Sequence, residues 1–322
     1  MKLLMTMPAE GIWPENSAFY ADLKTSFPEV DIKVVDTVED QMKEIKDANA
    51  YFGWITRDVF LAADRLQWIH CPGVGIDRLM VIPELVESDV VLTNSPGPHV
   101  NVMADHVMGM VVALAHRFGE AWDDQRARRW GGSNYTARFA ELTGRTMGIL
   151  ALGQIGMAVA TRAHAFNMDV YGVDLHPKPP TPVVKEIWGL ERLDELMSIS
   201  DWFVVAVPYT AETDKMIDAG RFAHLKEGAH VIVISRGGIV DEDAMIEGLR
   251  SGRIAGAGLD VADVEPLPVD SPLWDLNTII SPHSSASSPE MYEGRQQLFK
   301  ENLRRFLVNE PFVRVCDKRA GF

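Results

Sequence analysis

Short apolar runs alternate with helical patterns from one end of the chain to the other, and this rhythm limits the fold more than any single motif. It predicts βαβ units and a parallel sheet. The first part gives strands at Lys2–Thr6, Asp31–Val35, Ala50–Gly53, Gln67–His70 and Val90–Thr93, with helical segments such as Glu15–Phe27 and Val38–Lys46 between them. The middle gives six more, at Met147–Leu152, Asp169–Asp174, Trp202–Val207, His230–Ser235, Gly256–Val261 and Thr278–Ser281, with helices such as Ile155–Phe166 and Asp241–Ser251. Six strands with crossover helices match a doubly wound dinucleotide-binding fold.

Two turn-rich breaks punctuate the pattern. Asn94-Ser-Pro-Gly-Pro-His99 precedes a long helix over Asn101–Phe118, and Ser284-Ser-Ala-Ser-Ser-Pro289 precedes a last helix over Glu290–Leu307. If that helix returns to the first domain, the chain forms two α/β domains joined by two crossings, with a cleft at the hinge. The expected bounds are 1–100 completed by 287–322 for one domain, and 101–286 for the other. A length of 322 residues agrees with two domains, at roughly 150 residues each.

Composition excludes several classes of function. Lys and Arg number 31 against 46 Asp and Glu, a net charge of −15, whereas a duplex-binding surface needs clustered cations. The two cysteines, Cys71 and Cys316, form no CxxC, so reduced cytoplasmic thiols are expected rather than disulfides or zinc ribbons. No His/Cys/Asp set has metal-ligand spacing, and no metal is expected. The apolar run Leu3–Met7 ends at Pro8, which argues against a signal peptide. Val107–Ala115 is about half of the ~20 residues a membrane span needs. The expectation is a soluble, cytoplasmic protein with small-molecule partners, and neither nucleic acid nor membrane.

Five local signals carry chemistry. Ala151-Leu-Gly153-Gln-Ile-Gly156 follows a strand-like run and opens a helix pattern. Gly153 would admit a pyrophosphate, Gly156 would permit close helix–strand packing, and the amides of Gln154 and Ile155 would face the negative charge. The first glycine of the usual pattern is replaced by Ala151, and a plain tight turn also fits. Asp174 ends the next strand, where a carboxylate accepts hydrogen bonds from a ribose 2′-hydroxyl and repels a 2′-phosphate. It also suits a turn before His176-Pro177, and Lys178 nearby would soften the preference. Arg236, in Ser235-Arg-Gly-Gly238, stands at a strand's carboxyl end, either to grip a substrate carboxylate or to form a strand-end salt bridge. Glu265 before Pro266 and His283 after Pro282 follow two further strands. A Glu bonded to an imidazole favours the protonated ring, which suits proton transfer near neutral pH.

In these features the chain resembles the D-isomer-specific 2-hydroxyacid dehydrogenases. The carrying stretches are Gly73-Val-Gly-Ile-Asp77, Thr93-Asn-Ser-Pro-Gly97, Ala104-Asp-His106, Gly148–Gly156, Val207–Thr213, Ser235–Asp241, Gly258-Leu-Asp-Val261 and Ser281-Pro-His283. The resemblance implies a Rossmann cofactor domain at 101–286 and a flavodoxin-like substrate domain at 1–100. It implies a homodimeric oxidoreductase that moves a hydride between NAD(H) and a small 2-hydroxy or 2-oxo acid, with NADP less favoured. Arg236, Glu265 and His283 match the catalytic residues. Gln154, Ile155, Asp174, Val207, Thr213, Ile234, Arg236, Asp260 and His283 match cofactor residues, and Met103, Gly153, Gly156, Pro208, Ser235 and Ser285 are expected beside them. Amides matching Val74 and Gly75 hold the substrate carboxylate. Trp54 is expected to narrow the substrate pocket, stack on an aromatic substrate, or anchor its loop.

Ala151 departs from the family's glycine, Asp105 from its more usual Glu, and Ser284–Ser288 from its apolar residue and glycine. Phosphoglycerate, hydroxypyruvate/glyoxylate, lactate and phosphite dehydrogenases share most of these motifs, so the acid stays open. An NAD(H)-sensing regulator on the same scaffold is the alternative, although Phe306–Phe322 is short for a recruitment tail. Cys71 is expected to be a structural thiol and His106 a packing or capping residue. Residues 123–129 read as a charged solvated or subunit-facing surface. Val107, Met110, Val111 and Leu114 fit either core or interface.

Overall fold

The structure is a computed structural model that describes residues 1–6, 17–95, 99–131 and 134–321. Met7, the start of the Glu15–Phe27 helix, and Pro96 to Pro98 of the first break lie outside the described residues. The chain divides into two compact units, Met1–His99 with Ser287–Phe322, and Val100–Ala286. No helix among the described residues is long and apolar enough to cross a membrane.

In the first unit, β1 (Lys2–Thr6), β2 (Asp31–Val35), β3 (Ala50–Phe52), β4 (Trp68–His70) and β5 (Val91–Thr93) form a parallel sheet in the order β2-β1-β3-β4-β5. This is the flavodoxin-like order. Side chains alternate between two apolar layers. Leu4, Tyr51, Ile69 and Leu92 enter one, and Leu3, Met5, Phe52 and Trp68 enter the other. The helix Pro289–Leu307 supplies Phe299 and Leu303 to the second layer. Its start is set by Ser288, whose side chain accepts from the Met291 amide, and by Pro289 in the first turn.

The second unit holds β6 (Thr146–Leu150), β7 (Asp169–Val173), β8 (Glu186–Trp188), β9 (Trp202–Val205), β10 (Ala229–Val233), β11 (Ile254–Leu259) and β12 (Thr278–Ile280). All pairings are parallel, in the order β12-β11-β10-β9-β6-β7-β8. The chain starts at β6, steps outward to β8, then returns to the other side of β6. The order therefore reverses between β6 and β9, where ligands bind in open parallel sheets.

Seven strands stand where six were expected. The extra one, β8, has three residues directly after the proline-rich loop, too few for a recognisable pattern. Several expected strands end one or two residues early, and Leu152, Asp174, Val207, Ser235, Val261 and Ser281 fall in the loops at the carboxyl edge. The helix expected over Asn101–Phe118 runs Val100–Ala115, and Arg117, at φ 54°, turns the chain into a second helix, Phe118–Arg126. Val107, Met110, Val111 and Leu114 are buried in this unit's own core. Asp124 departs from the solvated surface expected there: it is 4% exposed and pairs with Arg129 at 2.8 Å.

Candidate active site

The loop after β6 is built for close backbone approach. Ala151 donates to Val173 O at 2.8 Å and adopts φ 76°, the left-handed region that favours glycine. A Cβ on Gly156 would lie 2.1 Å from Ala151 O, so only glycine lets the helix Gln154–Ala165 sit this near the loop. A Cβ on Gly153 would meet nothing within 4 Å. The N-cap of the helix thus has open space beside it, and the helix dipole at this end favours an anion such as a pyrophosphate. Asp174 accepts from Leu152 N at 2.8 Å and from His176 N at 2.9 Å. Its carboxylate thus both braces the glycine loop and stands at the edge of β7.

The strained alanine yields a stability prediction. Left-handed backbone costs a non-glycine residue about 1–2 kcal/mol, while glycine loosens the unfolded chain by about 0.4–1 kcal/mol. Ala151→Gly should therefore stabilise the protein by about 0.5–1 kcal/mol in urea denaturation. A destabilised variant would show that the alanine methyl packs usefully.

Four further loops leave the carboxyl edge of the same sheet. After β9, Val207 is half-buried, and Thr213 donates to Pro208 O at 2.8 Å and accepts from Thr210 N at 2.7 Å, closing the loop. After β10, Ile234 is buried and the Ser235 hydroxyl donates to Val205 O at 3.4 Å. Arg236 is half-buried, and its Nη1 donates to Ser235 O at 2.8 Å. A Cβ on the next residue, Gly237, would lie 2.1 Å from the backbone carbon of Ala262. That glycine lets the Arg236 loop lie directly against the loop carrying Glu265.

Asp260 organises the last loop. It is 1% exposed, and its carboxylate accepts from Ser281 Oγ at 2.6 Å, Ser284 N at 2.9 Å and Ser285 N at 3.1 Å. Its carbonyl accepts from His283 N at 2.8 Å. Ser281 Oγ in turn accepts from His106 Nε2 at 2.9 Å, which ties the loop to the helix Val100–Ala115. So held, His283 adopts φ 52° and its Nδ1 lies 2.9 Å from Glu265 Oε2. A carboxylate only accepts, so Nδ1 carries the proton and Nε2 is the outer nitrogen. Glu265 Oε1 also accepts from Ala262 N at 3.3 Å, which fixes the acid in its loop.

The first unit holds Trp54, Val74 and Gly75. Asn94 Nδ2 donates to Val74 O at 2.6 Å and Ser95 N to Gly73 O at 2.9 Å, so the loop after β4 is pinned by the loop after β5. A Cβ on Gly73 would lie 2.7 Å from the Trp54 ring, so Trp54 lies against this loop. The thiol of Cys71 is buried, and burial pushes its pKa up to about 12.

The fold thus brings Arg236, Glu265 and His283 to one sheet edge, with Gly153, Gln154, Ile155, Gly156, Asp174, Val207, Pro208 and Thr213 at the same edge. Met103 lies buried in the core, and Ser285 is buried with its amide committed to Asp260. Sequence reasoning missed the Asp260–Ser281–His106 chain, although Ser281 and His106 both stand inside quoted motifs.

A family model described as D-isomer specific 2-hydroxyacid dehydrogenase, NAD binding domain, matches residues 108–285. Over 290 residues the chain is 32% identical to a D-3-phosphoglycerate dehydrogenase of Methanocaldococcus jannaschii, covering 88% of this chain and 54% of that protein. The chain thus spans about half the length of that relative. It is 31% identical to a glyoxylate reductase of Thermofilum pendens, covering 88% of this chain and 85% of the relative. Among solved structures, a D-isomer specific 2-hydroxyacid dehydrogenase from Xanthobacter autotrophicus, in complex with NADPH and MES, superposes with a TM-score of 0.80 at 29% identity, covering 99% of each chain. The chain belongs to the D-isomer specific 2-hydroxyacid dehydrogenase family.

Proposed function

We propose that this protein is an NAD(H)-dependent oxidoreductase of small D-2-hydroxy acids and their 2-oxo counterparts. The observation that carries this reading is the 2.9 Å pair of His283 and Glu265 at the carboxyl edge of a doubly wound sheet. Arg236 leaves the same edge on a loop packed against the one that carries Glu265. The regulator reading gains no support, since the relatives named above are enzymes.

Val100–Ala286 is the cofactor domain in this reading, and the first unit is the substrate domain. Gly153, Gln154 and Ile155 hold the pyrophosphate, and Asp174 takes the ribose hydroxyls. When bound, the reduced nicotinamide supplies a hydride to C2 of the 2-oxo acid. Arg236 grips the substrate carboxylate and polarises the ketone. Val74 and Gly75 are the substrate-binding amides of the first unit. Glu265 keeps a proton on Nδ1 and so fixes the tautomer and orientation of the ring, and His283 Nε2 gives its proton to the carbonyl oxygen in reduction. In oxidation the neutral ring takes that proton back.

Asp174 favours NADH over NADPH, because its charge opposes a 2′-phosphate. Wild-type kcat/KM should be higher with NADH when glyoxylate, hydroxypyruvate and pyruvate are assayed, and Asp174→Ala should narrow the ratio by about tenfold. A wild type that prefers NADPH, the cofactor bound in the Xanthobacter structure, would overturn this reading of Asp174. Absence of turnover with every acid, with NADH still bound, would overturn the enzyme reading.

A homodimer is part of the proposal. Phe118, Trp122, Trp130 and Phe139 are 38–103% exposed on and after the helix Phe118–Arg126, an aromatic surface of the kind enriched in interfaces. Light scattering at micromolar concentration should give twice the mass of one chain, and a monomer would remove this assignment. A reducing compartment, the cytoplasm, agrees with the unpaired Cys71 and Cys316.

A further inference from the structure

The buried face of the helix Pro289–Leu307 carries an arginine. Its buried residues are Met291, Arg295, Phe299, Asn302 and Leu303, three or four apart or adjacent, so Arg295 shares the stripe turned to the first unit's core. Ring contacts give its height. Phe306 lies 5.6 Å from Trp68, at the start of β4, and Phe299 lies 5.2 Å from His70, at its end. The helix therefore runs antiparallel to β4, and Arg295, one turn before Phe299, lies past the strand's carboxyl edge. The loop that leaves this edge carries Val74 and Gly75. His99 follows β5 from the same edge.

Two buried polar groups here lack partners among the described residues. Arg295 is 6% exposed and its Nε has no hydrogen-bond partner there; His99 is 4% exposed and its Nδ1 has none. Among the described residues, the groups that act electrostatically on Arg295 are Cys71 and Tyr292, and Arg295 acts in turn on His70, Cys71 and His99; none of these is a carboxylate. His70 is already satisfied. Trp68 Nε1 donates to Thr93 Oγ1 at 2.9 Å, and both ring nitrogens of His70 are paired, Nδ1 with Thr93 Oγ1 at 2.8 Å and Nε2 with Ser95 Oγ at 2.9 Å. Burial pushes the pKa of this ring down to about 3 and so keeps it neutral. The surroundings thus hold a buried cation within electrostatic reach of an imidazole with an unused nitrogen. Burying a guanidinium without a counter-charge is costly, and an anion would supply both the charge and the missing acceptor.

We propose that Arg295 and His99 form an anion subsite for the second acidic group, carboxylate or phosphate, of a dianionic 2-oxo acid. The proposal rests on the reading above, in which Val74 and Gly75 are substrate-binding amides, and it names the class of substrate. The guanidinium fork matches two oxygens of either group, and the imidazole adds a third hydrogen bond.

The test compares kcat/KM for pyruvate and glyoxylate with that for oxaloacetate and phosphohydroxypyruvate. Wild type should favour at least one dianion by about tenfold or more. Arg295→Met should lower that dianion's kcat/KM by about 100-fold, mostly through KM, and change pyruvate by less than about threefold. Equal losses on both classes, or no dianion preference in wild type, would overturn the proposal. A second measurement needs no turnover. Malonate should raise the Tm of wild type more than acetate does at equal ionic strength, and Arg295→Met should abolish the difference. If no 2-oxo acid is turned over but the malonate shift is present and lost in Arg295→Met, the oxidoreductase reading fails and the anion site stands. If sulfate protects as malonate does but does not compete with the dianionic substrate, the site holds a free anion and the substrate assignment falls.

Discussion

Replacing His283 by Asn should slow hydride transfer by about 10²–10⁴-fold, the range for loss of a positioned acid–base, with little change in NADH affinity. The backbone tolerates this substitution. His283 sits at φ 52°, a region that Asn enters more readily than most residues. The loop around it is held by the Asp260 carboxylate through the amides of Ser284 and Ser285, which do not involve the imidazole. Single-turnover rates beside a fluorescence titration with NADH separate chemistry from binding. A loss below about tenfold would remove His283 from the acid–base role. Glu265→Gln provides the companion measurement. The Gln amide can turn its N–H toward Nδ1, where the carboxylate only accepted at 2.9 Å, and so favour the tautomer with the proton on Nε2. That tautomer cannot take a proton from the hydroxy acid, so oxidation should slow by about tenfold or more. An unchanged rate of oxidation would reduce the triad to Arg236 and His283.

The parts of this molecule that were legible in the sequence are those written in local pattern. Alternating strand and helix signals located eleven of the twelve strands because each buried strand is a continuous apolar run bounded by turn residues. Arg236, Glu265 and His283 were legible because each follows such a run, and carboxyl ends of parallel strands gather in space. The carboxylate of Asp260 was harder to place. Its acceptor role depends on Ser281, Ser284 and Ser285, more than twenty residues away in sequence and adjacent only because β11 pairs with β12. Asp124 and Arg295 share this difficulty. In the sequence each is a charged residue in a polar helix pattern, and only tertiary packing buries one beside Arg129 and the other on the core face of its helix. The three-residue β8 lacked the length for a pattern.

Asp260→Ala should be the most damaging single change to the fold of the second unit. The carboxylate is buried and accepts one hydroxyl and two amides, from Ser281, Ser284 and Ser285. Removing it leaves buried donors without acceptors, at about 1–3 kcal/mol each. The hydroxyl of Ser281 can turn away, so the expected loss is about 3–5 kcal/mol in urea denaturation. Activity should also fall by about 10²-fold or more, because displacement of the loop by about 1 Å misplaces His283. The backbone bond from His283 N to Asp260 O persists in any variant at this position, so any misplacement comes from the lost carboxylate. Asp260→Asn keeps an acceptor oxygen but replaces the other with a donor facing the Ser285 amide, so it should cost about half as much. Ser281→Ala separates the two effects. It removes the bonds to Asp260 and His106 but leaves both amides satisfied, so it should cost about 1 kcal/mol and little rate. Its energy should not add to that of Asp260→Ala, because the two residues share one hydrogen bond. If Asp260→Ala keeps wild-type stability, or if the two substitutions add in full, the carboxylate does not hold the His283 loop.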